Sequence, residues 1–190
     1  EVKMGNHGTT TFYGDELVTD GNAGTFESNV TGVDSHGSLV SGPTRSTGKA
    51  KSGSASCFFD ATDAEDGVVF NAYTTVTGRQ YYISCWVFGA ESQTKVALWV
   101  RKGDDGGWIS ATDYTLSALS SAIGAVGGDT WRNLVLTYTE TGGGAGAYFR
   151  VLSASDQSGN NEWYVDDVSI KEIGVATGWT TADAEPLIPQ

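Results

Sequence analysis

Glu162-Trp163-Tyr164-Val165-Asp166-Asp167-Val168-Ser169-Ile170-Lys171-Glu172-Ile173 reads as a β-strand with two consecutive carboxylates in its middle. Strand side chains alternate faces, so Tyr164, Asp166, Val168 and Ile170 fall on one face and Trp163, Val165, Asp167 and Ser169 on the other. One aspartate therefore points the same way as Val168 and Ile170. Either this is an edge strand with both acids in solvent, or that face is the core and Asp166 is buried. A buried carboxylate requires a cation or good hydrogen bonds, and in that case the strand helps to build a cation site.

Outward from this strand the chain keeps the same character. It has 26 Gly, a single Met, many Thr, Ser, Val and Tyr, and few helix-forming runs, a composition of strands and turns. Its 190 residues fit one domain with some terminal extension and bury a full core without staples. Residues 1–15 are polar and turn-rich, an irregular lead-in. From 16 to 53 isolated apolar residues (Leu17, Val18, Phe26, Leu39, Val40) sit among Gly, Ser, Thr, Asn and Asp, which suggests short strands on long loops. Regular strands are expected at 54–60, 68–76, 80–88, 94–102, 131–139, 146–152 and 162–172, with one short helix at 116–126. Seven or more strands without βαβ alternation make an all-β, two-sheet sandwich of jelly-roll type.

The formal net charge of −12 argues against nucleic acid, whose phosphates need a basic footprint, and against an anionic membrane. It suits a soluble extracellular or virion-surface protein, or one that holds Ca²⁺. No apolar run is long enough to span a membrane, and the N-terminus lacks a signal-peptide pattern. Cys57 and Cys85 lie inside strands; a bridge between neighbouring strands is one reading, two buried free thiols the favoured one. Neither His7 nor His36 sits in a hydrolase spacing, and Asp104-Asp105 reads as a solvated turn rather than a glycosidase pair. A catalytic role is therefore not expected.

The order of features resembles carbohydrate-binding modules of the family 4/9 type. The matching pieces are Gly24-Thr25-Phe26-Glu27-Ser28, the stretch from Thr77 to Val87, the stretch from Thr130 to Tyr138, and the closing Trp163 to Ile170. The resemblance covers residues 16–173 and departs from the family in the Gly-rich loops around Asp104 and Gly143. It implies a jelly roll, often attached to polysaccharide-degrading enzymes and also found in phage virion proteins, so that the chain is part of a larger multidomain protein. It also implies a structural Ca²⁺ held by Glu27 and Asp166, with a backbone oxygen near Lys49; Ca²⁺ takes six to eight oxygen ligands and mixes carboxylates with carbonyls. Residues 174–190, with Pro186, Pro189 and Trp179, read as a linker or arm and are similar to a connector of tailed-phage structural proteins. A non-catalytic module binding a poly- or oligosaccharide ranks first, a virion structural or assembly domain second, and a glycoside hydrolase third.

The expected sugar platform follows from alternation along 94–102. Val96, Leu98 and Val100 share one face, which leaves Trp99 between Lys95 and Arg101 on a polar one. Flat aromatics stack on the C–H face of a pyranose while nearby polar groups bond its hydroxyls. Trp99 is the expected platform, with Arg101, Tyr73, Trp86 and Trp108 as helpers.

Overall fold

The computed structural model describes residues 11, 13–18, 24–70, 73–89, 96–102, 131–141, 147–153 and 158–174. Among the described residues there are ten strands: β1 (Tyr13–Glu16), β2 (Val33–His36), β3 (Leu39–Ser46), β4 (Ser56–Asp63), β5 (Gly67–Phe70), β6 (Gln80–Gly89), β7 (Val96–Lys102), β8 (Arg132–Thr139), β9 (Ala147–Ser153) and β10 (Ser158–Ile173). The first sheet runs β3-β4-β10-β6-β8, with β1 also paired to β10; the second runs β2-β5-β9-β7. All pairings are antiparallel. The protein is an all-β sandwich of two sheets, as the turn-rich, helix-poor sequence leads one to expect.

The sheets close on a core fed by alternate residues of each strand. From the first sheet come Phe59, Cys57, Tyr81, Ile83, Cys85, Val87, Leu134 and Leu136; from the second, Val68, Phe70, Leu98, Val100, Phe149 and Val151. Phe70 stacks on Phe149 with ring centroids 5.0 Å apart and meets Phe26 at 6.3 Å.

The strand that decided the reading behaves differently from strict alternation. Trp163 and Val165 enter the core, and so do Val168 and Ile170, which have the opposite parity. The reason is a bulge: the register with β6 shifts between Asp166 and Ser169, and Asp167 has a positive φ of 49°. One extra residue flips the faces. Asp166 thus lies across from Trp86, on the outer side of the sheet, rather than with Val168 and Ile170. It is nonetheless fully buried, at 0% exposure.

The bulge also marks a change of neighbour. β4 pairs with β10 from Ser158 to Val165, and β1 from Lys171 to Ile173. In the gap the Val168 amide donates to the Gly24 carbonyl, and the Ile170 amide to Glu16 Oε1. A side chain at Gly24 would sit 2.9 Å from the Val168 carbonyl oxygen, so glycine is needed for that approach.

Other expectations meet corrections. The strand expected at 68–76 stops at Phe70, and 73–76 are irregular. β1 begins at Tyr13, inside the stretch read as lead-in. The helix expected at 116–126 and the arm from 175 onward lie outside the described residues. Cys57 and Cys85 are buried free thiols. Their strands are separated by β10, roughly 9–10 Å at ~4.8 Å per strand, beyond the ~4.4–6.8 Å a disulfide spans. Burial pushes the Cys57 thiol up to about 12, with the Asp166 charge adding to it, and burial also raises Cys85. Both thiols should therefore resist alkylation by iodoacetamide in the native protein and react on unfolding. Native-state labelling of either, read by mass spectrometry, contradicts this packing.

Candidate functional site

The second sheet carries one row of cross-strand partners on its outer side. Asp34 of β2 pairs with Val69 of β5, Val69 with Arg150 of β9, and Arg150 with Trp99 of β7. Their face is fixed by their neighbours: Phe149 and Val151 on either side of Arg150, and Leu98 and Val100 on either side of Trp99, all fill the core. At ~4.8 Å per strand the row spans about 14 Å, but its two middle members, Val69 and Arg150, are buried, and only its ends reach solvent. Asp34 is exposed, Trp99 half-buried, and Arg150, next to Trp99 in the row, fully buried. Leu152 and Ala97, in the adjacent outer row, are buried as well. Trp99 therefore stands at the margin of a covered face, packed partly against the core.

Tyr73 belongs to the same neighbourhood. It packs against the core, and its phenol feels the charges of Arg150, Tyr138 and Tyr148. Burial above all holds its pKa well above the usual tyrosine value, so the hydroxyl stays neutral. Arg101 is the register partner of Tyr148; its side chain, like all of Trp108, lies outside the described residues. Trp86 is not part of this cluster. It sits on the outer face of the first sheet, with the Lys51 ammonium 4.3 Å from its ring centroid. Arg150 was missed in the sequence, although a lone cation between Phe149 and Val151 in an expected strand carries the signal.

Glu27 and Asp166 come together on one loop, 49–55, laid over the first sheet. The Lys51 and Ser52 amides donate to Asp166 Oδ2 at 2.8 and 3.2 Å, and the Asp167 amide to Oδ1 at 2.8 Å. The Ser54 amide donates to both oxygens of Glu27 at 3.0 and 3.1 Å, and Ser54 Oγ to Oε2 at 2.7 Å. The loop approaches closely enough that a Cβ on Gly53, which has a φ of +61°, would lie 2.0 Å from Glu27 Oε1. The Lys49 carbonyl accepts from Ser56 Oγ nearby, and the Lys49 ammonium lies 4.7 Å from the Phe88 ring centroid. Glu27, Asp166 and the Lys49 carbonyl, the oxygens expected to hold Ca²⁺, thus all meet this loop, each already accepting hydrogen bonds from it or its flank. No three His, Cys, Asp or Glu residues converge among the described residues, so further oxygens would come from backbone or water.

The two carboxyls titrate in opposite directions. The Ser54 hydroxyl and amide hold Glu27 below the usual glutamate value. Burial pushes Asp166 from 3.8 up to about 6, against the pull of the Lys51, Ser52 and Asp167 amides.

No protein-family model matches the sequence, and no curated protein matches it. Solved structures do share the fold. The xylan-binding domain CBM22-1 of Paenibacillus barcinonensis Xyn10C superposes with a TM-score of 0.58 at 16% identity, covering 80% of this chain and 94% of that one. The C-terminal family 22 carbohydrate-binding module of Clostridium thermocellum Xyn10B gives 0.60 at 19% identity, over 80% of this chain and 92% of that one. The CBM22-1-GH10 modules of the same Clostridium thermocellum enzyme, complexed with xylohexaose, give 0.55 at 16% identity, over 84% of this chain and 28% of that one.

The raised Asp166 pKa fixes a pH dependence. Between about 3.8 and 6 the folded chain holds a proton that the unfolded chain releases, so this group's contribution is full below that window and lost as pH rises through about 6. In EDTA, the melting temperature of the parent should rise relative to Asp166→Asn as pH falls from 7 to 5, with the Asp166 carboxyl carbon titrating near 6 by NMR. Parallel profiles and a carboxyl titrating below 4 contradict it. The chain has the jelly-roll sandwich fold of carbohydrate-binding modules.

Proposed function

We propose that the chain is a non-catalytic polysaccharide-binding module, of the family 4/9 type that its sequence resembles, working outside the cell as one part of a longer protein. The observation that carries this reading is Trp99, half-buried at the end of a cross-sheet row with Arg150 and Asp34, on a fold shared with xylan-binding modules. The indole offers a flat apolar surface to a pyranose ring. Asp34, at the exposed far end of the row, accepts from sugar hydroxyls. Residues 174–190 serve as the connecting arm.

Xylan is the first polymer to test, alongside cellulose and mixed-linkage β-glucan. Trp99→Ala should weaken binding to the polymer the parent prefers by about tenfold or more, since ~1.4 kcal/mol is a modest loss for an aromatic contact. A folded Trp99→Ala variant that binds as well as the parent contradicts the site. Tight self-association with no affinity for any glycan contradicts the function and favours a virion assembly role.

A calcium ion at Glu27 and Asp166 belongs to the same proposal, supported by the all-oxygen donor set those residues bring to loop 49–55. When bound, the ion would link the N-terminal segment to the last strand, and binding to the native state alone stabilises it. EDTA should lower the melting temperature, added Ca²⁺ should restore it, and elemental analysis should find one ion per chain. An unmoved melting curve with no bound metal contradicts this.

A further inference from the structure

The outer face of the first sheet has a hollow, independent of the Trp99 row. Its floor is a square of cross-strand partners: Tyr82 opposite Lys171, and Ser84 opposite Ser169. Small serines flanked by long side chains leave a depression, and Tyr13 of β1 closes one side. The two tyrosine rings meet edge to face, with centroids 5.1 Å apart at 64°. Tyr13 is 47% exposed, one of few large hydrophobic side chains so open among the described residues. The resulting cavity measures about 240 Å³. That is below the roughly 300–1,000 Å³ of drug-sized sites and suits a single small ring.

The chemistry of the walls narrows the occupant. Glu16 holds the floor in place: its carboxylate accepts from Ser169 Oγ and from the Ile170 and Val18 amides. A carboxylate beside the floor and a net charge of −12 disfavour an anion. The ammonium of Lys171, lining the same hollow, disfavours a cation. A neutral ligand with one apolar face and several hydroxyls satisfies both, with the aromatic edge of Tyr13 and Tyr82 against its C–H face and Ser84 and Lys171 bonding its oxygens.

We infer that Tyr13, Tyr82, Ser84, Ser169 and Lys171 form a second saccharide subsite, taking one neutral pyranose ring, on the opposite sheet from Trp99. The choice of ligand class rests on the polysaccharide-binding reading; the hollow itself does not. Two sites on opposite faces would let one module bridge two chains of a polymer, raising retention through effective concentration.

The test is a titration of the full chain with D-xylose, D-glucose and D-galactose, watching the Tyr13 and Tyr82 ring resonances by NMR. At least one sugar should shift them saturably, equally in the parent and in Trp99→Ala, and the shifts should fall at least fivefold in Ser84→Gln. That variant fills the hollow without deleting a packing contact; Tyr13→Ala is the companion in which the wall is removed. Ring resonances that no sugar moves, or that move equally in Ser84→Gln, overturn the subsite. Should polymer binding vanish in Trp99→Ala while these rings never move, only the second site fails. Should they move while polymer binding ignores Trp99, the first site fails and the second stands.

Discussion

The structure depends on how one buried carboxylate is satisfied. Asp166 has no exposed surface and accepts three backbone amides, two of them from a loop more than a hundred residues earlier in the chain. It can do so only because β10 bulges there, turning the side chain outward to the loop while Val165 and Val168 both keep their places in the core. The bulge also hands one edge of β10 from β4 to β1. One residue thus sets the two-part pairing of the central strand, the position of loop 49–55 and the attachment of the N-terminal segment.

The two sheets divide the work accordingly. Loop 49–55 lies over the outer side of the first sheet, with Lys49 and Lys51 set on Phe88 and Trp86. Trp86 is therefore engaged in holding the loop, and a cation already occupies its face. Among the described residues no loop clasps the second sheet in this way, and its outer row ends in Trp99 beside the buried Arg150. Under the proposed binding role, side chains already positioned in this way would lose little entropy on engaging a ligand.

Much of the fold was legible because its strands alternate cleanly. Gln80 to Gly89 and Arg132 to Thr139 match the expected strands to within one residue, their apolar and polar residues taking turns as a half-buried strand requires. On β7 alternation places Leu98 and Val100 in the core, but Trp99 packs partly against it and its face-mate Ala97 is buried. Strict alternation failed at Asp166-Asp167, where the bulge inserts a residue that no local pattern announces; Asp167 at positive φ is a conformation the sequence permits but does not demand. Tyr73 fell outside the expected strand because β5 ends at Phe70. Trp86 was grouped with Trp99 because both are tryptophans on polar faces, and only the sheet order shows that those faces lie on opposite sides of the sandwich. The clasp, built from Glu27, Ser54 and Asp166, depends on contacts between distant segments that composition cannot reveal.

A crystal structure of the chain soaked with xylohexaose addresses the account most directly. It should show a pyranose ring stacked on the exposed part of the Trp99 indole. Sugar seated only elsewhere, with Trp99 untouched, would contradict the assignment of the second sheet as the binding face.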